Sequence, residues 1–311
     1  MSDYSFILDT MTWSFSRLNY TCLHEFKLHY IDCNTGVESF YGLFGSFCHK
    51  LLEMYERGEL SLFELSQYYE EHFDEEVYLD APYNKSKDIK EDYFYKGLDY
   101  FDNIDLILDA YEILGVEKEV RFQVGGHDMI GYIDLLLREK ETGRIIITDH
   151  KSGSIKILKS GKISKSDLKH FEEFKHQLYL YAIPVLEEYG HVDELRWNMF
   201  KDRQWISIPF DKSDFNKAID WADQQIKNLY KEEEWGPKEG SDGWDYYCRY
   251  ICGQRENCEY NQTEEETNQT EEETSNVYFR HMKDRIYKCP VCGAPVDGDK
   301  CEYCGCVIYG F

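Results

Sequence analysis

Phe40, Phe44, Phe47, Leu51 and Tyr55 recur at the spacing of one helical face, and predict a helix over 40–57. Gly42, Gly45, Ser46, His49 and Glu53 fall on another face of the same helix. Helical spacing recurs over 61–72 and 99–114. The period then changes to two. Val120, Phe122 and Val124 alternate within Glu119–Val124, Gly125-Gly126-His127-Asp128 reads as a turn, and Met129–Arg138 reads as a second strand. A third strand covers Arg144–Lys151, and its run Ile145-Ile146-Ile147 predicts burial on both faces. A helix over about 168–188, with Pro184 as a kink or an end, precedes strands at 194–200 and 204–210 around a Lys201-Asp202-Arg203 turn. A last helix spans about 213–231. The order predicts an α/β fold with a mixed central sheet flanked by helices.

Residues 261–274 read NQTEEET twice, with six Glu and no apolar side chain. Such a segment cannot bury a core and reads as a self-repelling linker, 261–285, between a main domain, 1–260, and a tail, 286–311. No apolar run is long enough to span a bilayer, and the N-terminus lacks the basic region of a signal peptide, so a cytoplasmic location is expected, with no membrane partner.

In a cytosolic protein, eleven cysteines point to metal sites before disulfides. Three lie before residue 50 and eight after residue 247. Cys289-x-x-Cys292-Gly and Cys301-x-x-Cys304-Gly form two knuckles of a zinc ribbon, with Cys306 as a spare. So short a tail has little core, and zinc, worth on the order of 10 kcal/mol, would supply its stability. Lys283, Arg285 and Lys288 precede it, and DNA binding and docking are equally open roles for it. Cys248, Cys252 and Cys258 form a second cluster that needs one more ligand, either Cys22 or Cys33.

The net charge of −25 argues against a general nucleic-acid coat, but residues 151–175 carry seven Lys against Asp167, Glu172 and Glu173. That local basic path suits a DNA groove, although Lys156, Lys159, Lys162 and Lys165 could merely solvate a loop.

Asp149 and Lys151 share one side of the third strand, because strand side chains alternate. If the second and third strands pair as a hairpin, Asp134 converges on Asp149. Two such carboxylates repel unless a proton or a cation lies between them, and hard oxygen ligands suit Mg²⁺ or Mn²⁺. The plainer reading is an ion pair of Lys151 with Asp149 or Asp134, and of His49 with Glu53.

Five pieces in order change the weighing. Gly45-Ser46-Phe47-Cys48-His49 through Glu53, Glu119 with Arg121 and Phe122, Gly131-Tyr132-Ile133-Asp134, Thr148-Asp149-His150-Lys151-Ser152-Gly153 and Gln177-Leu178-Tyr179-Leu180-Tyr181 together resemble the RecB-like branch of the PD-(D/E)xK nucleases, over roughly residues 12–260. The resemblance implies a restriction-endonuclease-like core. It implies that His49, Asp134, Asp149 and the His150 carbonyl hold Mg²⁺ or Mn²⁺, and that Lys151 orients or deprotonates water and stabilises the phosphate. Gln177 and Tyr181 would position the DNA strand and the lysine, and Glu119 would buttress the site. Ser14-Phe15-Ser16-Arg17-Leu18-Asn19-Tyr20-Thr21-Cys22 resembles the N-terminal segment of the iron–sulfur members, which include CRISPR-adaptation nucleases and AddB-type helicase–nuclease subunits. By that resemblance Cys22, Cys248, Cys252 and Cys258 hold a [4Fe–4S] cluster; the same thiolates also suit zinc. Cys33 and Cys48 would otherwise be buried small hydrophobes.

The expected activity is metal-dependent DNA hydrolysis, as an exonuclease on single-stranded ends, in repair, recombination, phage replication or CRISPR adaptation. Expected partners are DNA and a helicase or a CRISPR-adaptation or recombination protein. A non-catalytic DNA-binding or helicase-docking module is the alternative, and an RNA-processing enzyme a third reading. No Walker A pattern is present, so the sequence carries no motor motif.

Overall fold

The computed structural model describes residues 4–237 and 244–261, and the main chain of 287–288 and 295–296. In chain order its helices are α1 Ser5–Asp9, α2 Phe15–Leu18, α3 Leu23–Phe26, α4 Phe40–Glu56, α5 Leu62–Glu76, α6 Ile89–Asp102, α7 Leu168–Tyr189, α8 Lys212–Lys231 and α9 Trp244–Tyr250. Contacts divide the chain into two compact units. One takes residues 1–11, 20–39 and 230–311, and the other residues 12–19 and 40–229.

The larger unit holds a five-stranded sheet in sequential order: β1 Tyr111–Val124, β2 His127–Glu139, β3 Ile145–Lys151, β4 Glu194–Met199 and β5 Gln204–Pro209. All neighbours are antiparallel except β3 and β4, which run parallel. The parallel pair needs a crossover, and α7 supplies it. Strand alternation at the end of β3 sends Lys151 to Gln177 on α7 and His150 to Glu56 on α4. The two helices therefore cover opposite faces of the sheet.

On the α4 face, Phe44, Phe47 and Leu51 pack with Tyr69, Phe73 and Phe101 from α5 and α6, and with Leu135, Leu137 and Ile146 from the sheet. Each such fully buried side chain contributes about 1.5–3 kcal/mol. The helices that build this layer begin at clear signals. Glu64 accepts hydrogen bonds from the Ser61 amide and hydroxyl ahead of α5, and Asp88 accepts from the Glu91 amide ahead of α6. Gly45 lets α4 approach the end of β3: a Cβ there would lie 3.2 Å from Ser152 Oγ. Among the described residues, no helix is long and apolar enough to cross a membrane.

One sequence expectation needs correction. The helix expected over 99–114 ends at Asp102, where the Asn103 amide caps back to the Tyr100 carbonyl, and the chain is already strand from Tyr111. Alternating burial begins only at Val120, so the first half of β1 carries no readable period. Helix α7 continues through Pro184 to Tyr189 and stops at Gly190, whose φ of +82° is the left-handed cap that glycine favours. Buried Leu178, Leu180, Ala182 and Val185 hold the helix across the missing amide donor.

Gly131 is fixed by close packing. A Cβ at this position would lie 2.3 Å from the Tyr181 ring. Gly131→Ala is expected to cost about 1–3 kcal/mol in urea denaturation, and less in a Tyr181→Leu background. Wild-type stability in Gly131→Ala would contradict this packing.

Candidate metal-binding active site

The ladder between β2 and β3 runs from Arg138–Ile145 to Leu135–Thr148, where its last rung lies. Asp134 and Asp149 are the next residue on each strand, so they meet where the strands part. The Asp134 Oδ2 atom accepts a hydrogen bond from the His150 amide at 2.6 Å and lies 3.7 Å from His49 Nδ1 on α4. Lys151 Nζ donates to Asp149 Oδ1 at 2.9 Å and to Gln177 Oε1 at 2.8 Å, and stands 5.3 Å from the Phe174 ring centre. The ion pair of the plainer reading is thus present. It leaves Asp149 Oδ2 buried with no hydrogen-bond partner. An orphaned buried carboxylate oxygen is costly unless a cation or a proton meets it.

Glu117 joins this group. His49, Glu117 and Asp134 each offer a ligand atom, and these atoms lie within 4.8 Å of one another. Glu117 sits level with Asp134, between the rungs Val116–Leu135 and Lys118–Ile133, just after a register shift between Ile113 and Gly115. Its φ is +47°, a conformation that a side chain with a Cβ adopts at a cost.

Crowding of like charges shows in the protonation of these groups. Burial, followed by the charges of Asp134 and Glu53, pushes Glu117 up to about 7. Burial outweighs the help of Lys151 and pushes Asp149 up to about 6, with Asp134 adding to the rise. Burial, then His150, pushes His49 down to about 4, so its imidazole is neutral and free to act as a ligand near neutral pH. The donor set is two or three carboxylates, one neutral imidazole and an unpaired oxygen, which fits a hard divalent cation.

Behind the site, the His150 side chain is fully buried. Its Nε2 bonds to Glu56 Oε1 at 2.8 Å, and its Nδ1 meets Asn198 Nδ2 at 3.0 Å; the same amide reaches the Tyr100 hydroxyl at 2.6 Å. Burial alone would lower the His150 pKa, but the Glu56 carboxylate raises it overall. The network fixes the main chain that presents the His150 amide to Asp134.

The structure brings His49, Asp134, Asp149, Lys151 and Gln177 together, with the His150 main chain among them. Tyr181 is placed differently from the expectation that it touches DNA. It is buried against Gly131, and bonds to Gln177 and to the Tyr132 main chain. It therefore supports the residue that holds the lysine. Glu119, the expected buttress, is occupied by Arg121 at 2.7 Å and the Tyr132 hydroxyl at 3.2 Å. Glu117 is the acid that sequence reasoning missed. Its one local signal is Gly115 just before it, which marks a break in an otherwise regular strand. Glu53 pairs with Arg57 at 2.8 Å, so the plainer partner of His49 is engaged elsewhere.

Within the smaller unit, Cys22, Cys248, Cys252 and Cys258 line one cavity of about 30 Å³, together with Glu25 and Tyr247. Cys22 caps α3, and Cys248 lies on α9. Burial, then the charge of Glu25, pushes the Cys252 thiol far above its ordinary range, and burial raises Cys258. Four thiols on one small cavity fit a thiolate-bound metal group, which would supply the charge that thiolates need there. Cys33 does not line this cavity; it is half-buried, with its thiol 3.9 Å from the Ile31 carbonyl. Cys48 is fully buried, as expected of a small hydrophobe. Cys289, Cys292, Cys301, Cys304 and Cys306 lie outside the described residues. Strands β6 Tyr287–Lys288 and β7 Pro295–Val296 pair antiparallel.

No curated protein sequence matches the chain. A crystal structure of a presumed exonuclease from Eubacterium rectale is similar at 10% identity and a TM-score of 0.42, over 74% of this chain and 84% of that one. The crystal structure of SSO0001 is similar at 16% identity and a TM-score of 0.28, over 68% of this chain and 86% of that one. The family description of the PD-(D/E)XK nuclease superfamily matches residues 12–307, nearly the whole length. The chain, with its paired acids and lysine at the parting of two strands, belongs to the PD-(D/E)XK nuclease superfamily.

Proposed function

We propose that this protein is a divalent-metal-dependent deoxyribonuclease that hydrolyses phosphodiester bonds from single-stranded DNA ends. The observation that carries this reading is the meeting of His49, Glu117 and Asp134, with Asp149 beside them on β3, paired to Lys151 through one oxygen and unpaired at the other. His49, Asp134, Asp149 and the His150 carbonyl would hold Mg²⁺ or Mn²⁺, with Glu117 as a further oxygen donor. When bound, the cation supplies Lewis acidity at the phosphoryl oxygen. Lys151, steered by Asp149 and Gln177, places an ammonium group where charge develops on the phosphate and where an attacking water is oriented. Gln177 positions the lysine, and Tyr181 positions Gln177. A setting in repair, recombination, phage replication or CRISPR adaptation, with a helicase or recombination partner, follows from the resemblance.

A [4Fe–4S] cluster on Cys22, Cys248, Cys252 and Cys258 belongs to the same reading, and its work is structural. It would tie residues 20–39 to residues 230–261 within the smaller unit. Zinc on Cys289, Cys292, Cys301 and Cys304 would stabilise the tail.

The direct test is labelled single-stranded DNA, with RNA beside it, in Mn²⁺ or Mg²⁺. DNA should be degraded, and Asp149→Ala or Lys151→Ala should lower turnover by at least 100-fold. Tight binding without degradation by the wild type would favour the DNA-binding alternative, and degradation that persists in Asp149→Ala would defeat the metal-site reading.

The pH dependence has a definite sign. Burial raises Asp149 and Glu117 above the ordinary carboxylate range, so the folded state holds their protons more tightly than the unfolded chain. In the metal-free protein, ionising Asp149 as the pH rises towards 6 therefore costs stability. A cation offsets that cost only once the acids are charged. The Mn²⁺-induced rise in Tm should therefore be small at pH 5 and grow towards pH 7.5, with activity at limiting Mn²⁺ climbing between pH 6 and 7.5. A Tm shift independent of pH would contradict these protonation states.

Anaerobically purified protein is expected to be brown and to contain both iron and zinc. Cys258→Ala should remove the iron and leave the zinc. A colourless protein with zinc in both cysteine sets would overturn the cluster assignment.

A further inference from the structure

Lys151 is followed by a hairpin that the hydrolytic reading does not use. Ile157 and Ile163 form an isolated antiparallel bridge. The Leu158 amide donates to the Lys162 carbonyl, the Gly161 amide to Leu158 and the Ser164 amide to Lys156, each at 2.8 Å. Gly161 turns the tip with a φ of +76°. The base is fastened to the larger unit. Ile155 is buried, its carbonyl accepts from Gln204 Nε2 at 3.0 Å, and the Lys156 amide donates to Asp167 Oδ2 at 2.7 Å.

Lysines occupy the hairpin in two tiers. Lys156 and Lys165 lie at the base, and Lys159 and Lys162 flank the tip. All four are exposed. Among the described residues none of their ammonium groups has a hydrogen-bond or ion-pair partner, whereas Lys27, Lys50, Lys87, Lys118, Lys175 and Lys227 each sit on a carboxylate. Asp167 is the sole acid between residues 152 and 171. Its carboxylate is committed to the Lys156 amide and the Ser166 hydroxyl. The one local acid thus braces the hairpin's main chain. In a protein of net charge −25, four unpaired cations on a fastened hairpin are a local exception that favours a polyanion.

Both ends of the hairpin join the site. One end continues β3 from Lys151, and five extended residues place Lys156 at most ~17 Å away along the chain. The other end leads into α7, which carries Phe174 under Lys151 and Gln177 against it. We propose that residues 155–165 form a phosphate clamp: Lys156, Lys159, Lys162 and Lys165 grip the backbone of the DNA strand a few nucleotides from the bond being cut, without reading its bases. This rests on the nuclease reading for the identity of the strand, while the binding itself can be measured without hydrolysis.

The test uses the full-length protein with Asp149→Asn to stop hydrolysis, and titrates a fluorescent 20-nucleotide single strand over a range of KCl in Mg²⁺. Changing all four lysines to serine should raise Kd at least tenfold and lower the slope of log Kd against log salt by about 2–3, since each phosphate contact on a single strand contributes about 0.7. The four-arginine version should retain the slope, which separates lost charge from lost folding. In the active protein, the serine version should lose at least tenfold of the preference in kcat/KM for the 20-mer over bis(p-nitrophenyl) phosphate, a diester too small to reach the hairpin. An unchanged salt slope and an unchanged preference, with circular dichroism and Tm intact, would overturn the clamp. If the wild type hydrolyses neither substrate, the nuclease reading fails on that result, and the salt slope alone decides the clamp.

Discussion

Like charges held at one point govern the larger unit. Where β2 and β3 part beyond Leu135–Thr148, Glu117 and Asp134 come together, with Asp149 close enough to feel the charge of Asp134, in a partly dry setting that water cannot screen fully. Isolated ionised acids would not stay there. The protein meets the repulsion only in part, with Lys151 on one oxygen of Asp149 and the His150 amide on one oxygen of Asp134. Asp149 Oδ2 gets nothing, and Glu117 is held up to about 7. Such a site is stable as a fold yet unfinished electrostatically, and that incompleteness is what a divalent cation would relieve.

The surrounding packing keeps this cluster from relaxing. His150 could swing its peptide away from Asp134 if its ring were free, but Glu56 and Asn198 grip it on the α4 face of the sheet, with Asn198 itself held by the Tyr100 hydroxyl. Removing one partner would strand a buried polar group, and the network therefore fixes the β3 main chain as well as the ring. Gly131 admits the Tyr181 ring against β2, and Tyr181 in turn steadies Gln177, which holds Lys151. The end of β3 is thus held from both faces, by the His150 network on one and by Gly131, Tyr181 and Gln177 on the other.

Much of this was legible in the sequence, because it rests on local period. Alternation along Thr148-Asp149-His150-Lys151 predicted that the acid and the lysine share a side, and helical spacing in 40–57 placed His49 off the apolar face. The bulged half of β1 was not legible. The register shift near Gly115 decides which of Glu117 and Glu119 reaches the site, and a bulge has no hydrophobic period to announce it. Glu119 fits the family pattern, but its carboxylate is spent on Arg121 and Tyr132. The choice of Cys22 over Cys33 likewise depended on resemblance, since nothing local to either residue says which will meet Cys248, Cys252 and Cys258 across more than 200 positions. Tyr181 shares a helix face with Gln177 as the spacing requires, but only the packing against Gly131 reveals that it is covered.

The net charge looks hostile to a phosphate polymer, and the resolution lies in distance. At physiological ionic strength the Debye length is about 8 Å, so acids farther than that from a bound strand are largely screened. What the strand meets is set by charges within that range. Around Lys151 those charges are unusual for this chain: a lysine hairpin whose single acid is bound to its own main chain, and a carboxylate cluster that a cation would neutralise. On the clamp reading, a strand held elsewhere on this acidic protein would lack the unpaired lysines of the hairpin. Site selection on such a protein comes from where positive charge is left unpaired, and its total charge is no guide to what it binds.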